Sequence, residues 1–285
     1  MPARFNLALG LCVLALSGRS SEVAESSAHA APAAAAPRST LARPAAAAPA
    51  VSEMVTVPAG SFMMGSTTSD LNDALPLHQV TLSAYSIDAH TVTNGEFLEC
   101  ETAGACTAPG SPSSFSRTTY HTDPKFAAFP VVYVSWTQAK AYCAWAGKRL
   151  PTEAEWEKAA RGSTDRRTYP WGEAAPTCAM ANFFPLTSYC VGDTDAVGTR
   201  PAGDSPYGVH DMVGNVMEWV ADWYDAAYYS KCPAGCTNPQ GPATGVQRGI
   251  RGSFWSMDAP HLRLASRASE NPASQVDFFG FRCAK

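Results

Sequence analysis

Charge is scarce in this 285-residue chain: Asp, Glu, Lys and Arg make up 16% of it, the net charge is −4, and no run of Lys and Arg occurs. Binding nucleic acid requires a basic footprint that neutralises phosphates, so nucleic acid is excluded as a partner. The chain also lacks a G-x-S-x-G elbow and the phosphate loops G-x-G-x-x-G and G-x-x-x-x-G-K-[ST], which removes the usual sequence basis for a serine hydrolase or a nucleotide enzyme. Its apolar run from Phe5 to Leu16 is too short to anchor in a bilayer, and no transmembrane segment is expected in the mature chain. No cysteine occurs between Cys236 and Cys283, although the chain carries nine.

What is present divides the chain unevenly. Arg4 followed by the apolar run and then by small and polar residues is the layout of a secretory signal peptide, expected over 1–19. "LSGR" at Leu16 to Arg19 resembles a lipoprotein cleavage box with Arg19 at the position of the lipidated cysteine. Ala, Pro and Ser dominate the next stretch, a composition unable to bury enough apolar surface to fold, so residues 20–52 are expected to be a disordered tether. Residues 53–285 form one domain long enough to bury a sizeable core. An exported destination follows, whether periplasm, medium or cell surface.

With Cys12 lost in the leader, eight cysteines remain, and an even set in an exported chain suggests disulfides. Eight cysteines admit 105 pairings. Three short loops stand out: Cys100 with Cys106, Cys178 with Cys190, and Cys232 with Cys236, which leaves Cys143 for Cys283. "CPAGC" could instead offer two thiolates to zinc, although no second Cys/His pair at finger spacing accompanies it.

Local patterning gives strands in "VTVPAGSFMMGS" and in "HQVTLSAYSID", where Val80 and Leu82 alternate with polar residues. Capping boxes predict three helices, starting at Thr93 with Glu96, Ser135 with Gln138, and Thr152 with Glu155; the last two should end at Gly147 and Gly162. Loop is expected over 107–129. After 163 the chain is rich in Gly, Pro, Asn and aromatics and should form short strands and long ordered loops.

The segments "VSWTQAKAYCAWAGKRLPTEAEWEKAARG", "YPWGE", "YGVHDMVGNVMEWVADWY" and "LRLASRASENPASQVDFFGFRCA" appear in this order. Together they resemble the formylglycine-generating enzyme (sulfatase-modifying factor) family, over roughly Met54 to Lys285. The resemblance implies an α+β domain of the formylglycine-generating type, related to C-type lectins, with little regular secondary structure and stabilised by disulfides and calcium. It also supports the Cys143 to Cys283 pair. One implied calcium set is Asp211, Gly214, Val216 and Glu218; another is Asn182, Phe183, Asp193 and Asp195. Side-chain and carbonyl oxygens of this kind suit a hard cation.

The family's reaction oxidises a substrate cysteine to formylglycine with O₂, using two cysteines that bind copper(I), a metal suited to thiolates. In "RGSFWSMDAPHLR" the matched positions are Met257 and Leu262, or a residue within Ala259 to His261 if the gap is placed differently. None supplies a thiolate, so copper and formylglycine generation are not expected. The favoured reading is a domain that binds a protein, peptide or glycan in the former substrate groove, with Arg251, Trp255 and His261 along it and Trp171 and Phe278 as further aromatics. The alternative is a metal-dependent, O₂-using oxidoreductase of the same superfamily, modifying a protein or a sulfur-containing substrate. Its histidines, however, form no close two-His pair.

Overall fold

The computed structural model describes residues 52–163, 167–232 and 235–285. The leader expected at 1–19 and the tether expected at 20–52, apart from Ser52, lie outside the described residues. In chain order the elements are β1 (Met54–Val57), β2 (Gly60–Met64), β3 (His78–Leu82), β4 (Tyr85–Asp88), α1 (Asn94–Thr102), α2 (Trp136–Trp145), α3 (Glu153–Arg161), β5 (Met217–Trp223), α4 (Tyr228–Lys231), β6 (Cys236–Thr237), β7 (Arg248–Arg251), β8 (Arg267–Glu270) and β9 (Phe279–Gly280). The architecture is mixed α+β with few helices and long irregular segments. Among the described residues no helix is long and apolar enough to cross a membrane.

Three small sheets organise the strands: β1 pairs with β4, β2–β3–β6 form a second sheet, and β8–β7–β5–β9 form the third. The period of two read in "HQVTL" is realised, since His78, Val80 and Leu82 of β3 point inward. Sheet three carries the site described below, because β5 and β7 pair Glu218 with Arg251 and Trp219 with Ile250.

All three capping boxes form as the sequence predicts, at Thr93/Glu96, Ser135/Gln138 and Thr152/Glu155. Each satisfies two of the amide groups that a helix start leaves unpaired. At Gly162, φ is +84° and an added Cβ would lie 3.0 Å from Pro206 Cγ, so glycine is required both by the backbone and by the neighbour. The stretch 107–129 is loop apart from a short 3₁₀ turn at Pro124–Phe126.

Helix α3 departs from expectation. The sequence suggests one apolar side bearing Trp156, Ala159 and Ala160, yet every residue from Glu153 to Arg161 is buried. Burial of its charges is tolerable because each finds a partner. Arg251 bonds Glu153 Oε1 at 3.1 Å and Glu157 Oε2 at 2.6 Å, Arg161 bonds Glu157 Oε1 at 2.8 Å, and Arg267 bonds Glu153 at 2.7 Å. Lys158 donates to the carbonyls of Pro58 and Gly60, tying the helix to the β1–β2 turn.

Two large apolar clusters make the core. One joins the β1–β4 strands to α3 through Trp156, Tyr229, Leu262 and Leu264; the other gathers α1, α2, Trp219, Ile250 and Phe281 around Cys143 and Cys283. Four disulfides join Cys100 to Cys106, Cys143 to Cys283, Cys178 to Cys190, and Cys232 to Cys236, the pairs expected from spacing. Every cysteine among the described residues is therefore oxidised, and "CPAGC" closes on itself instead of holding zinc. Residues 233 and 234 inside that loop lie outside the described residues.

Candidate functional site

Strand β7 ends at Arg251, and Gly252 turns the chain with φ of +77°, its Cα facing Met212 O and the Trp156 ring so closely that a Cβ would stand 3.1 Å from the carbonyl. The chain then crosses to Asn215, whose carbonyl accepts Trp255 N at 3.2 Å. Met257 N returns to Phe254 O, while Met257 O accepts Phe184 N at 2.8 Å, docking this segment against the loop that holds Phe184. A 3₁₀ turn over Ala259–Leu262 leads back into the core.

This path separates the two residues matched to the family's cysteine positions. Leu262 is fully buried in the α3 cluster, whereas Met257 is half-buried beside the aromatic surface. Arg251, expected to lie along the groove, is entirely internal and saturates Glu153 and Glu157; its role is a correction to that expectation. A guanidinium with two carboxylate partners is more stable inside than facing a water-filled groove, because the carboxylates of α3 would otherwise be buried unpaired. His261 is largely exposed and hydrogen-bonded to Asp258, three residues earlier. Trp255, also expected along the groove, is buried at 3% exposure and contacts the exposed rings of Phe115 and Tyr189.

Around Trp255 the rings form a continuous patch. Phe115 sits 4.8 Å from its centroid and Tyr189 5.6 Å; Phe184 adjoins Tyr189 at 4.6 Å, and Phe254 stacks on Phe278 at 4.0 Å and 13°. Trp171 instead stacks on Tyr169 and donates to Ala174 O. Phe115 is 64% exposed and Leu186 69%, unusual for such side chains, and Tyr189 and Val191 are exposed beside them. The Trp255 indole Nε1 is buried with no hydrogen-bond partner among the described residues.

The patch is held rigidly. Asp193 Oδ2 accepts from Ser114 Oγ at 2.6 Å, Ser116 N at 2.9 Å and Ser116 Oγ at 2.6 Å, so both flanks of Phe115 are fixed to one carboxylate. Burial acts to raise the Asp193 carboxyl, but the Ser114 and Ser116 hydrogen bonds outweigh it and hold it below the ordinary range. On the other side the Cys178–Cys190 disulfide closes the loop that carries Phe184, Leu186 and Tyr189.

The two calcium sets differ in one respect, an unpartnered buried oxygen in the second. In the first, Glu218 already receives Trp156 Nε1 at 2.9 Å and Arg282 through Nε and Nη2 at 2.7 Å each, and Asp211 accepts Gly198 N at 2.7 Å. Burial raises the Asp211 carboxyl above its ordinary range. Glu218 is thus the counter-ion of Arg282, just as Asp193 pairs with Arg117 at 3.3 Å and Asp195 with Arg200 at 2.6 Å in the second set; Gly214 and Val216 lie in the turn leading into β5. In the second, Asn182 Oδ1 is buried without a partner, while Asn182 Nδ2 donates to Asp193 O at 2.8 Å. Phe183 O accepts Cys190 N, and Asn215 Nδ2 donates to Asp195 O at 3.1 Å, so Asn182, Phe183, Asp193 and Asp195 are brought together. An orphaned amide oxygen beside these groups suits a hard cation. Among the described residues no cluster of three or more His, Cys, Asp or Glu is poised for a metal ion.

Sequence reasoning missed the exposed aromatics Phe115 and Tyr189. The signal available was Phe115 between two serines in "SPSSFSR", an apolar residue inside a polar loop.

A family signature described as sulfatase-modifying factor enzyme 1-like domain matches residues 39–285. Serine/threonine-protein kinase Pkn1 of Chlamydia pneumoniae is 39% identical over 82% of this chain, and the chain spans 38% of that relative's length. Formylglycine-generating enzyme of Thermomonospora curvata is 34% identical, with 81% of this chain and 92% of the relative covered. Among solved structures, PvdO from Pseudomonas aeruginosa superposes with a TM-score of 0.66 at 31% identity, covering 82% of this chain and 94% of that one.

Proposed function

The chain belongs to the sulfatase-modifying factor enzyme 1-like family, and from that premise we propose that it is an exported binding domain without formylglycine-generating oxidase activity. Its ligand, a protein, peptide or glycan, seats on the aromatic patch around Trp255. Membership fixes a fold and not a reaction, so the site must carry the argument.

The single observation that carries the reading is the pair Met257 and Leu262. One offers a thioether and the other a buried hydrocarbon, and every cysteine among the described residues is in a disulfide, leaving no thiolate for copper(I). Exposed rings held by Asp193 and by the Cys178–Cys190 loop support binding in place of chemistry, since rigid aromatics contribute large contact area at small entropic cost. Calcium at Asn182, Phe183, Asp193 and Asp195 would supply charge that fixes the Phe115 loop. Export is supported by the four disulfides, which persist in oxidising compartments.

The test has two arms. Incubating the protein with copper, O₂ and a cysteine-bearing sulfatase-type peptide should leave the peptide mass unchanged; conversion to the aldehyde would refute the loss of oxidase activity. Screening peptide and glycan arrays with the wild-type chain and with Phe115→Ala should give ligands that the variant loses, and identical array profiles for the two proteins would refute the aromatic patch as the binding surface.

A further inference from the structure

A cavity lies apart from the patch around Trp255 and shares none of its residues. It occupies about 280 Å³ and is lined by Trp136, Lys140, Arg149, Thr152, Gln240 and Arg248 together with Leu150 and Ala221. Its size sits just under the range of drug-sized ligand pockets and suits an amino acid, a monosaccharide or a smaller group.

Arg248 is the centre of this cavity. Its guanidinium carbon lies 3.7 Å from the centroid of Trp136 and 3.5 Å from that of Trp223, so both faces are covered by indoles. Trp136 is itself fixed, donating Nε1 to Val220 O at 2.8 Å. Arg248 Nη1 donates to Ala221 O at 2.7 Å. That leaves the Nε and Nη2 edge: Nε is buried with no hydrogen-bond partner among the described residues, and Nη2 donates to none of them. This edge is the planar fork that pairs side-on with two oxygens of a carboxylate, sulfate or phosphate.

The unpaired charge around the cavity is positive. Lys140 reaches over Trp136 with Nζ 5.2 Å from the ring, and no ion pair joins Lys140 or Arg248 to a carboxylate among the described residues. Arg149 is paired with Glu155 at 2.6 Å but remains half exposed at the rim. The carboxyl that interacts with Arg248 is Asp222, which burial first and the Glu153 carboxylate second push up to about 8, weakening it as a counter-ion. A guanidinium locked in place with its fork unfilled and an unpaired ammonium on the same indole is an arrangement that favours an anion.

We infer that the cavity between α2, β5 and β7 binds a small anionic group, with the Arg248 Nε and Nη2 edge as its fork and Lys140 as its second cation. The shared chemistry is an oxyanion, whether the carboxylate of a small acid or the sulfate or phosphate of an ester.

Isothermal titration of the whole chain with sodium sulfate, potassium phosphate and sodium acetate, at ionic strength held constant with sodium chloride, tests this. Saturable binding at one site is expected. A preference for sulfate or phosphate assigns an ester ligand, and a preference for acetate assigns a carboxylate. Lys140→Gln, at an exposed position on α2, should weaken binding by about tenfold, the loss of one charge-assisted contact. Arg248→Lys keeps the charge and removes the fork, and should weaken binding by a similar factor or more. If Arg248→Lys does not fold, judged by circular dichroism, Lys140→Gln alone decides. Absence of saturable binding for all three anions, or variants that bind as the wild type does, overturns the inference.

Discussion

Glu218 and Arg282 meet as a bidentate ion pair in the interior, with Nε and Nη2 each 2.7 Å from a carboxylate oxygen and side-chain exposures of 1% and 0%. Arg282 also donates to the carbonyls of Ala89 and His210, so one side chain joins the β4 exit, the turn before β5 and the chain terminus. The acidic residue that the family pattern marks as a cation ligand thus acts here as a counter-ion.

Glu218→Gln keeps an acceptor for Trp156 but leaves the Arg282 charge buried and unpaired. A loss of about 3 to 5 kcal/mol in unfolding free energy is expected from urea denaturation. A loss below about 1 kcal/mol would place the pair in a far more solvated setting than the one described.

Asp222 is buried, accepts Glu153 N at 2.8 Å, and is pushed up to about 8 by burial and by the Glu153 carboxylate. Its folded value lies above its ordinary 3.8, so the folded state holds a proton that the unfolded state releases. Its contribution to stability is therefore greatest below about pH 4 and declines as the pH rises towards 8. Asp222→Asn removes this titration. Denaturation at pH 5 and pH 8 should show a smaller decline in the variant than in the wild type, and equal declines would contradict the assignment.

Cys143 and Cys283 are both fully buried and close a loop of 140 residues. Replacing both by alanine releases that constraint on the unfolded chain and should cost about 4 to 5 kcal/mol. The double substitution at Cys100 and Cys106, six residues apart, should cost less. Comparing urea midpoints of the two variants checks the order.

Calcium at the second set should appear as a thermal shift. Calcium at about 100 times its dissociation constant stabilises by roughly 2.7 kcal/mol, and Asn182→Ala should abolish the increment. Identical calcium responses in wild type and variant would remove Asn182 from the site. Glu218→Gln serves as the contrast, since its carboxylate is committed to Arg282.

The extent to which the sequence foretells the structure follows the range of the interaction. Thr93 with Glu96, Ser135 with Gln138 and Thr152 with Glu155 act within one turn, and each helix starts at its cap. The disulfides within 100–106, 178–190 and 232–236 are likewise near neighbours along the chain. Arg251 was legible only as part of a motif, and its burial against Glu153 and Glu157 depends on residues more than ninety positions away. The same holds for Arg248, whose indole partners Trp136 and Trp223 come from different elements.

By itself the sequence determined the helix starts, the strand alternation, the short disulfides and, through motifs spread over most of the chain, the family. It also determined that Met257 and Leu262 carry no thiol. Only the tertiary structure decided that Leu262 turns into the core while Met257 stays at the surface, that Glu218 neutralises Arg282, and that Phe115 and Tyr189 meet across Trp255. Caps and periodicities are set by neighbours within a few residues, whereas the partner of a buried charge or ring is whichever distant group packing brings to it.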